Sequence, residues 1–140
     1  MADTLTCKIV TPTKTVFSEQ ASYVGLPGEA GGFGVMKGHE PLVSSLGSGV
    51  VRVTTAGEGK ASEVRFALSG GYAEIKDNEV IVLADNAQSL DDVDVAAVRE
   101  ELAGVEGKIE TVKDDDPDKA YYLDQKAWLD LLLVAVTDKQ

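Results

Sequence analysis

The sequence predicts an α+β fold, in which an all-β half is followed by two helices. Apolar and polar residues alternate before Asp85, glycine-rich and proline-rich turns separate these segments, and the apolar spacing then becomes helical. Several short strands joined by such turns indicate a sandwich or a barrel. We therefore predict a β-sandwich domain over residues 1–85 and a helical hairpin over residues 86–140.

Two strand segments carry apolar residues at every second position, which places those side chains on one face. They are Leu5, Cys7 and Ile9 in the first segment, and Val64, Phe66 and Leu68 in the second. Turn-forming residues fall between the strand segments. They occur at Pro27-Gly28, at 47–49, at 56–59, at Gly70-Gly71 and at Asp77-Asn78.

Residues 26–42 concentrate five glycines, two prolines and the single histidine of the chain. Glycine reaches positive φ at little steric cost and proline fixes φ, so this stretch is a specified series of tight turns. We call residues 28–33 the glycine turn and residues 36–41 the histidine loop. If Gly34, just after the glycine turn, requires a positive φ, valine there should distort the backbone.

Neither segment carries a recognisable catalytic motif. The glycine turn lacks the Gly-Lys-Ser/Thr ending of a P-loop and precedes a strand-like segment, so turn geometry is favoured over phosphate binding. His39 has no neighbouring nucleophile or carboxylate at catalytic spacing. Two interpretations of His39 remain open: hydrogen bonding to a neighbouring carbonyl, and contact with a partner protein.

The first predicted helix has a narrow apolar stripe with spacings of three and four residues, typical of packing against another helix. Its members are Val95, Val98, Leu102, Val105 and Ile109. Asp116 and Pro117 are suited to the N-cap and first position of the second helix. The acidic run Asp114–Asp116 lacks the pattern of a calcium loop and is predicted to be a solvated connection between the helices.

The second predicted helix is apolar over most of its circumference. The sequence assigns its main face to positions spaced by three and four residues, with further apolar residues beside it. That face is Ala120, Leu123, Ala127, Leu131 and Val134. A surface this broad is expected to dock on the sandwich or on another protein.

Composition excludes several functional classes. The net charge of −11 argues against nucleic acid as a partner, because phosphate contacts need clustered Lys and Arg. Cys7 is the single cysteine, which excludes an internal disulfide, and it is expected as a reduced thiol that is buried or partly buried in the first strand. No signal peptide or apolar run of membrane-spanning length is evident, so membrane association is expected through a partner.

The motifs resemble those of the ε chain of rotary F-type ATP synthases. The resemblance lies in Leu-Pro-Gly-x-x-Gly-x-Phe-Gly-Val at 26–35, Gly-His-x-Pro-Leu at 38–42, Ser-Gly-Gly-x-x-Glu-Ile at 69–75 and Val-Leu-Ala-Asp at 82–85. It implies a flattened sandwich of about ten strands followed by an antiparallel helical hairpin. It also implies a non-catalytic rotor subunit without a cofactor, coupling the γ chain to the c-ring during proton-driven ATP synthesis.

The resemblance also implies roles for individual residues. The histidine loop would contact the γ chain through Gly38, His39 and Pro41. The glycine turn would face the c-ring loops through Glu29, Ala30, Gly31, Gly32 and Phe33. The C-terminal helices would reach the catalytic β and α chains, and the expected location is the cytoplasmic face of a bacterial cell membrane. An organelle inner membrane or a thylakoid membrane stays open.

Two features depart from the family pattern. Some ε chains bind ATP at a motif that would include Asp94 here, but Ala97 replaces its arginine, which argues against ATP binding. Residues 86–140 carry fourteen acidic side chains against six basic ones, unfavourable for docking on an acidic segment of the β chain. Inhibition of ATP hydrolysis by the helices is therefore left open. The alternative function is a stand-alone sandwich binding module with a helical tail.

Overall fold

The computed structural model describes residues 4–55 and 62–137 of the chain. Within these residues, seven strands come first and two helices follow, which confirms the predicted α+β order. The strands are β1 (Leu5–Val10), β2 (Thr15–Leu26), β3 (Phe33–Val35), β4 (Leu42–Ser45), β5 (Gly49–Thr55), β6 (Ser62–Lys76) and β7 (Glu79–Ser89). A short 3-10 helix, Leu90–Asp92, precedes α1 (Val95–Thr111) and α2 (Pro117–Thr137). The predicted turn at 56–59 lies outside the described residues.

The strands form one sheet that closes on itself through β1. This strand pairs in parallel with β7 and antiparallel with β2, and β6 and β5 complete the ring. β3 is added beside β2, and β4 beside β6. Closure through β1 reduces the number of unpaired edges that would otherwise invite other strands.

The interior of the ring holds one apolar core. Leu5, Cys7 and Ile9 are buried while their neighbours in β1 are partly exposed, so the predicted alternation is confirmed. The rings of Phe17 and Phe66 meet in a tilted arrangement, with centroids 5.0 Å apart. Burying this apolar surface is the main favourable contribution to folding.

Gly70 and Gly71 bend one strand and do not connect two, which corrects the predicted turn. β6 pairs with β5 up to Leu68 and with β4 from Tyr72, so the two glycines mark the corner where it changes neighbours. Their φ angles are +64° and +118°. Because long strands run through such corners unbroken, the described residues form seven strands where the resemblance implied about ten.

The β half also extends further than the sequence indicated. β7 continues past Asp85 to Ser89, because residues 86–89 pair with Phe66–Ser69 of β6. Ala87 is the one apolar residue among those four, so the extension leaves little hydrophobic signal. The chain separates into two compact units, Met1–Asp91 and Asp92–Gln140. We retain the division into a sandwich domain and a helical segment as a proposal, with the last strand ending at Ser89.

The second helix begins as the sequence indicated, and the first packs through its predicted stripe. All five residues of the predicted α1 stripe are buried or partly buried. Pro117 is the first residue of α2, and the Asp116 carboxylate accepts a hydrogen bond from the Asp118 N–H at 2.9 Å, as an N-cap residue does. Asp114 lies in the exposed connection, where a hydrogen bond from Lys119 lowers the pKa of its carboxyl group. The helices contact each other across this short connection, so they form an antiparallel hairpin.

The predicted main face of α2 is wrong. Leu129, Leu132 and Ala135 are the buried residues, whereas Leu123 and Val134 are 46% and 64% exposed. Tyr122, on the same turn as the exposed Leu123, lies beneath the Lys108 ammonium of α1 at 5.5 Å from the ring centroid. The apolar surface of this helix is broad, so its sequence does not select which side faces α1.

Candidate functional site

The glycine turn is held by backbone hydrogen bonds. The Gly31 N–H donates to the Gly28 carbonyl at 3.0 Å, and the Glu29 N–H donates to the Ser45 carbonyl, at the end of β4, at 2.9 Å. Gly28 also forms an isolated bridge with Leu46. These backbone hydrogen bonds hold the turn in place.

The outer part of the glycine turn faces away from the core. Glu29, Ala30, Gly31 and Gly32 are exposed, whereas Phe33 is half-buried and packs against the core. Gly31 has a φ of +137°, which residues other than glycine rarely adopt. The turn therefore presents small side chains and backbone on a fixed frame.

Gly34 allows the Tyr23 ring to approach the backbone closely, and its φ is not positive. It lies in β3 opposite Gly25 of β2, and the described positive-φ glycines do not include it. The Tyr23 ring covers both glycines, since a Cβ on Gly34 would lie 2.5 Å from the ring and one on Gly25 would lie 3.3 Å away. This aromatic cover compensates for two glycines facing each other in a sheet.

We expect Gly34→Ala to lower the free energy of unfolding by about 0.5–1 kcal/mol, because the Tyr23 ring, the partly exposed end of a flexible side chain, must rotate away. In a Tyr23→Ala background the same substitution should cost nothing or stabilise slightly, since alanine restricts the unfolded chain. Urea unfolding of the four variants measures this coupling. Gly32→Ala, whose Cβ would meet one backbone oxygen at 3.6 Å, is the matched control. Equal costs in both backgrounds would contradict the contact.

The histidine loop is a tight turn with its imidazole bonded locally. The His39 N–H donates to the Met36 carbonyl at 3.1 Å, and Gly38 has a φ of +88°, as at the third position of a type II turn. The His39 Nδ1 donates to the Glu40 carbonyl at 2.7 Å. The predicted hydrogen bond to a neighbouring carbonyl is confirmed, and the predicted partner contact stays a prediction. Gly38 and Pro41 are exposed.

Three exposed apolar side chains lie in the histidine loop or directly after it, and sequence analysis missed them. Met36, Leu42 and Val43 are 60%, 41% and 65% exposed, and we call them the apolar strip. Leu42 and Val43 open β4, which pairs with β6 and with no other strand in the described part of the chain. Consecutive apolar residues after Pro41 were the available signal, because a half-buried strand would alternate.

Strand β4 joins the two candidate segments. Its first residue, Leu42, follows the histidine loop, and the carbonyl of its last residue, Ser45, accepts from the glycine turn. Four residues of strand span about 10 Å between their end Cα atoms. The two segments therefore lie at opposite ends of one short, fixed strand.

Asp94, the residue carried over from the ATP motif, caps α1. Its Oδ1 accepts a hydrogen bond from the Ala97 N–H at 3.2 Å, so the carboxylate is used in helix capping. Ala97 itself is exposed and offers no donor side chain. Asp91 and Asp92 precede this cap in the 3-10 helix, so the first turn of α1 carries no acidic residue.

Cys7 is fully buried in β1, as predicted, and burial raises its pKa to about 12. The thiolate is the nucleophilic form, so this thiol is unreactive at neutral pH.

The raised pKa of Cys7 predicts a loss of stability at alkaline pH. Above its ordinary pKa of 9.0 the thiol ionises in the unfolded chain but not in the folded one, so unfolding releases a proton. Relative to Cys7→Ala, the native chain should lose about 1 kcal/mol of unfolding free energy between pH 9 and pH 10. Denaturant titrations across this window measure it, and parallel profiles for the two proteins would contradict it.

Two further structural features concern residues 4–55 and 62–137. No group of three or more His, Cys, Asp or Glu side chains there could hold a metal ion. In the same residues, neither helix combines the length and apolar character that crossing a bilayer requires.

The fold and the candidate site define a small β-sandwich protein that presents a fixed turn, a histidine loop and an apolar edge, with a helical hairpin after it. Residues 4–90 match the family described as ATP synthase, Delta/Epsilon chain, beta-sandwich domain. The chain is 38% identical over 112 residues to the ATP synthase epsilon chain of Bradyrhizobium sp. (strain ORS 278), covering 80% of each chain. It is 40% identical over 114 residues to that of Nitratidesulfovibrio vulgaris (strain DP4), covering 81% of this chain and 82% of the relative. The chain belongs to the ATP synthase epsilon chain family.

Two solved structures share the fold. One chain of the Euglena gracilis mitochondrial ATP synthase, in a structure of OSCP, F1 and c-ring, has a TM-score of 0.68 and 20% identity, covering 97% of this chain and 82% of that one. A chain of the central stalk and c-ring of the Tetrahymena thermophila mitochondrial ATP synthase has a TM-score of 0.57 and 16% identity, covering 94% and 96%. The predicted family, the sandwich-plus-helices fold and the status of a non-catalytic subunit are confirmed.

Proposed function

We propose that this chain is a central-stalk subunit that couples the γ chain to the c-ring of a proton-translocating ATP synthase. The histidine loop and the apolar strip contact γ, and the glycine turn faces the c-ring loops. Family membership supports the assignment to the synthase, and the solved relatives belong to central-stalk and c-ring assemblies. The chain acts as a rigid connector whose surfaces are complementary to γ and the c-ring, without catalytic residues or a cofactor of its own.

The observation that carries the γ contact is the exposure of the apolar strip beside Gly38, His39 and Pro41. Leu42 and Val43 are adjacent exposed apolar residues of β4, and Met36 is exposed in the loop before them; exposed apolar side chains of this kind are typical of protein interfaces. The histidine loop gives this surface a polar rim, since Lys37 and Glu40 are exposed beside it. A γ surface with a complementary apolar patch would bury the strip on association.

The glycine turn suits contact with a flat partner. Its exposed residues have small side chains or none, apart from Glu29, so another backbone can approach closely. Its hydrogen bonds to Ser45 and within the turn limit the ordering that binding would require. These properties support the c-ring side of the proposal.

Strand β4 supports a coupling role because it sets the spacing between the two surfaces. A close-packed sandwich has low compressibility, so a force applied at one end of β4 reaches the other with little deformation. With γ at one end and the c-ring at the other, rotation of the ring turns γ without slippage. The β4 register with β6, from Leu42–Ile75 to Ser45–Tyr72, fixes this strand in place.

The location and the role of the helices follow from the same assembly. We place the chain at the periphery of the membrane through γ and the c-ring, on the cytoplasmic face if its source is bacterial like the two relatives above. Contacts of α1 and α2 with the α and β chains, and inhibition of hydrolysis, stay predictions. The exposed Leu123 and Val134 favour such contacts, whereas the acidic charge of the helices opposes docking on an acidic surface.

Binding of the full-length chain to the purified γ chain tests the proposal. At physiological ionic strength we expect a 1:1 complex with a dissociation constant of about 1 μM or tighter, and a ternary complex once the c-ring is added. Isothermal titration and detergent gel filtration measure the two steps. Absence of binding to γ at tens of micromolar would reject the stalk assignment and favour the stand-alone binding module.

A further inference from the structure

We propose that Asn78 is a positioning residue that latches the histidine loop to the sandwich and pre-organises it for γ. The Gly38 N–H in the loop donates to the Asn78 Oδ1 at 2.8 Å, joining segments forty residues apart in sequence. The other two hydrogen bonds of the loop, from His39 to Met36 and to Glu40, are internal to it. Apart from its chain connections to β3 and β4, the described loop is therefore tied to the rest of the domain by the contact with Asn78.

Asn78 is itself held rigidly by the β6–β7 hairpin. Lys76 pairs with Glu79, so Asp77 and Asn78 form a two-residue turn, and their φ angles of +52° and +60° are both positive. Asparagine tolerates this conformation far better than most residues. The Asn78 carbonyl also accepts from the Thr6 N–H of β1 at 3.0 Å. One residue thus connects β1, the hairpin and the histidine loop.

We call the Gly38–Asn78 hydrogen bond the latch. It matters for binding because the loop is exposed and has few other restraints. Gly38 and Pro41 are exposed, and Gly38 has no heavy atom within 4 Å of where a Cβ would lie. Without the Oδ1 acceptor, γ would have to order the loop on association, and that ordering weakens affinity. The effect of the latch on the affinity for γ rests on the proposed function, whereas the hydrogen bond itself does not.

Two substitutions at Asn78 separate the effect of losing the Oδ1 acceptor from the effect of changing the backbone conformation. Asn78→Gly keeps access to positive φ but removes Oδ1, whereas Asn78→Asp keeps an acceptor at the same place. Asp77→Gly is the matched control, because it loosens the same turn and leaves Oδ1 intact. Measurements at about 0.15 M salt limit repulsion between an aspartate at this position and its acidic neighbours.

The first measurement is solvent exchange of the Gly38 amide, by NMR of the chain alone. We expect Asn78→Gly to speed exchange about fivefold, with Asn78→Asp and Asp77→Gly within about twofold of the native chain. Unchanged exchange in Asn78→Gly would overturn the latch. Equal acceleration in Asp77→Gly would also overturn it, since turn flexibility would then be the cause.

The second measurement is the affinity for purified γ. We expect Asn78→Gly to weaken binding about fivefold and Asn78→Asp to restore it to within about twofold, with similar thermal unfolding midpoints. Faster Gly38 exchange with unchanged γ affinity would overturn the positioning role. If the native chain does not bind γ, the proposed function fails, and the exchange measurement still decides the latch.

Discussion

Gly71→Ala is expected to unfold the sandwich or to destabilise it by more than about 3 kcal/mol, the largest effect we predict for one substitution. A Cβ at this position would lie 2.0 Å from the Leu83 carbonyl oxygen and 2.9 Å from the Ala84 Cα. Both are backbone atoms of β7, so no side-chain rotation relieves the clash. The φ of +118° adds strain for any residue with a side chain.

The clash lies where the sheet has least freedom to adjust. Gly71 is at the corner where β6 changes partners, and its carbonyl accepts from the Leu46 N–H at 2.9 Å. Moving β6 away from β7 would break pairings on both sides of the corner. The destabilisation should therefore appear as a lower denaturant midpoint for the whole sandwich.

Comparison with Gly38→Ala separates the cost of the Cβ clash at Gly71 from the cost of a positive φ. Gly38 also has a positive φ, +88°, but a Cβ there would meet nothing within 4 Å. Its cost should be confined to the strain of positive φ, about 1–2 kcal/mol. Urea unfolding followed by far-UV circular dichroism compares the variants. A Gly71→Ala midpoint equal to that of Gly38→Ala would show that β7 gives way easily, against our prediction.

Val43→Asp should weaken binding to γ by at least about 100-fold while leaving the sandwich folded. Val43 is 65% exposed in the free chain, so a carboxylate there stays hydrated and costs little stability. On association the same group would be buried against an apolar surface without a partner, and such burial is costly. Titration of γ with the variant measures the loss.

Val134→Asp is the matched control for Val43→Asp. Val134 is 64% exposed and carries the same side chain, but it lies in α2. It changes net charge equally, so it reports any general effect of one more negative charge on binding. We expect its affinity for γ to be within about threefold of native. Native affinity in Val43→Asp would remove the apolar strip from the γ interface, even if the chain itself binds γ.

Much of the fold follows directly from local sequence. The alternation in β1 predicts its buried face, because successive strand side chains point to opposite sides. Asp116 and Pro117 predict where α2 begins, because capping and the fixed proline φ act within one helical turn. The motifs around the glycine turn and the histidine loop indicated the family, which the matches to known epsilon chains confirm.

Other features depend on contacts between distant segments, and no local sequence pattern contains these contacts. The buried side of α2 was mistaken because an apolar circumference gives no preferred face, and packing selects Leu129 and Leu132. Gly71 has the composition of a turn residue, yet the approach of β7 makes it a corner within a strand. The latch between Gly38 and Asn78 also needs the closed sheet. Sequence by itself determined the order of the β half and the helices, the start of α2 and the family, because these reside in short-range patterns. Tertiary structure decided where strands bend and end and which surfaces are covered, because both depend on residues far apart in the chain.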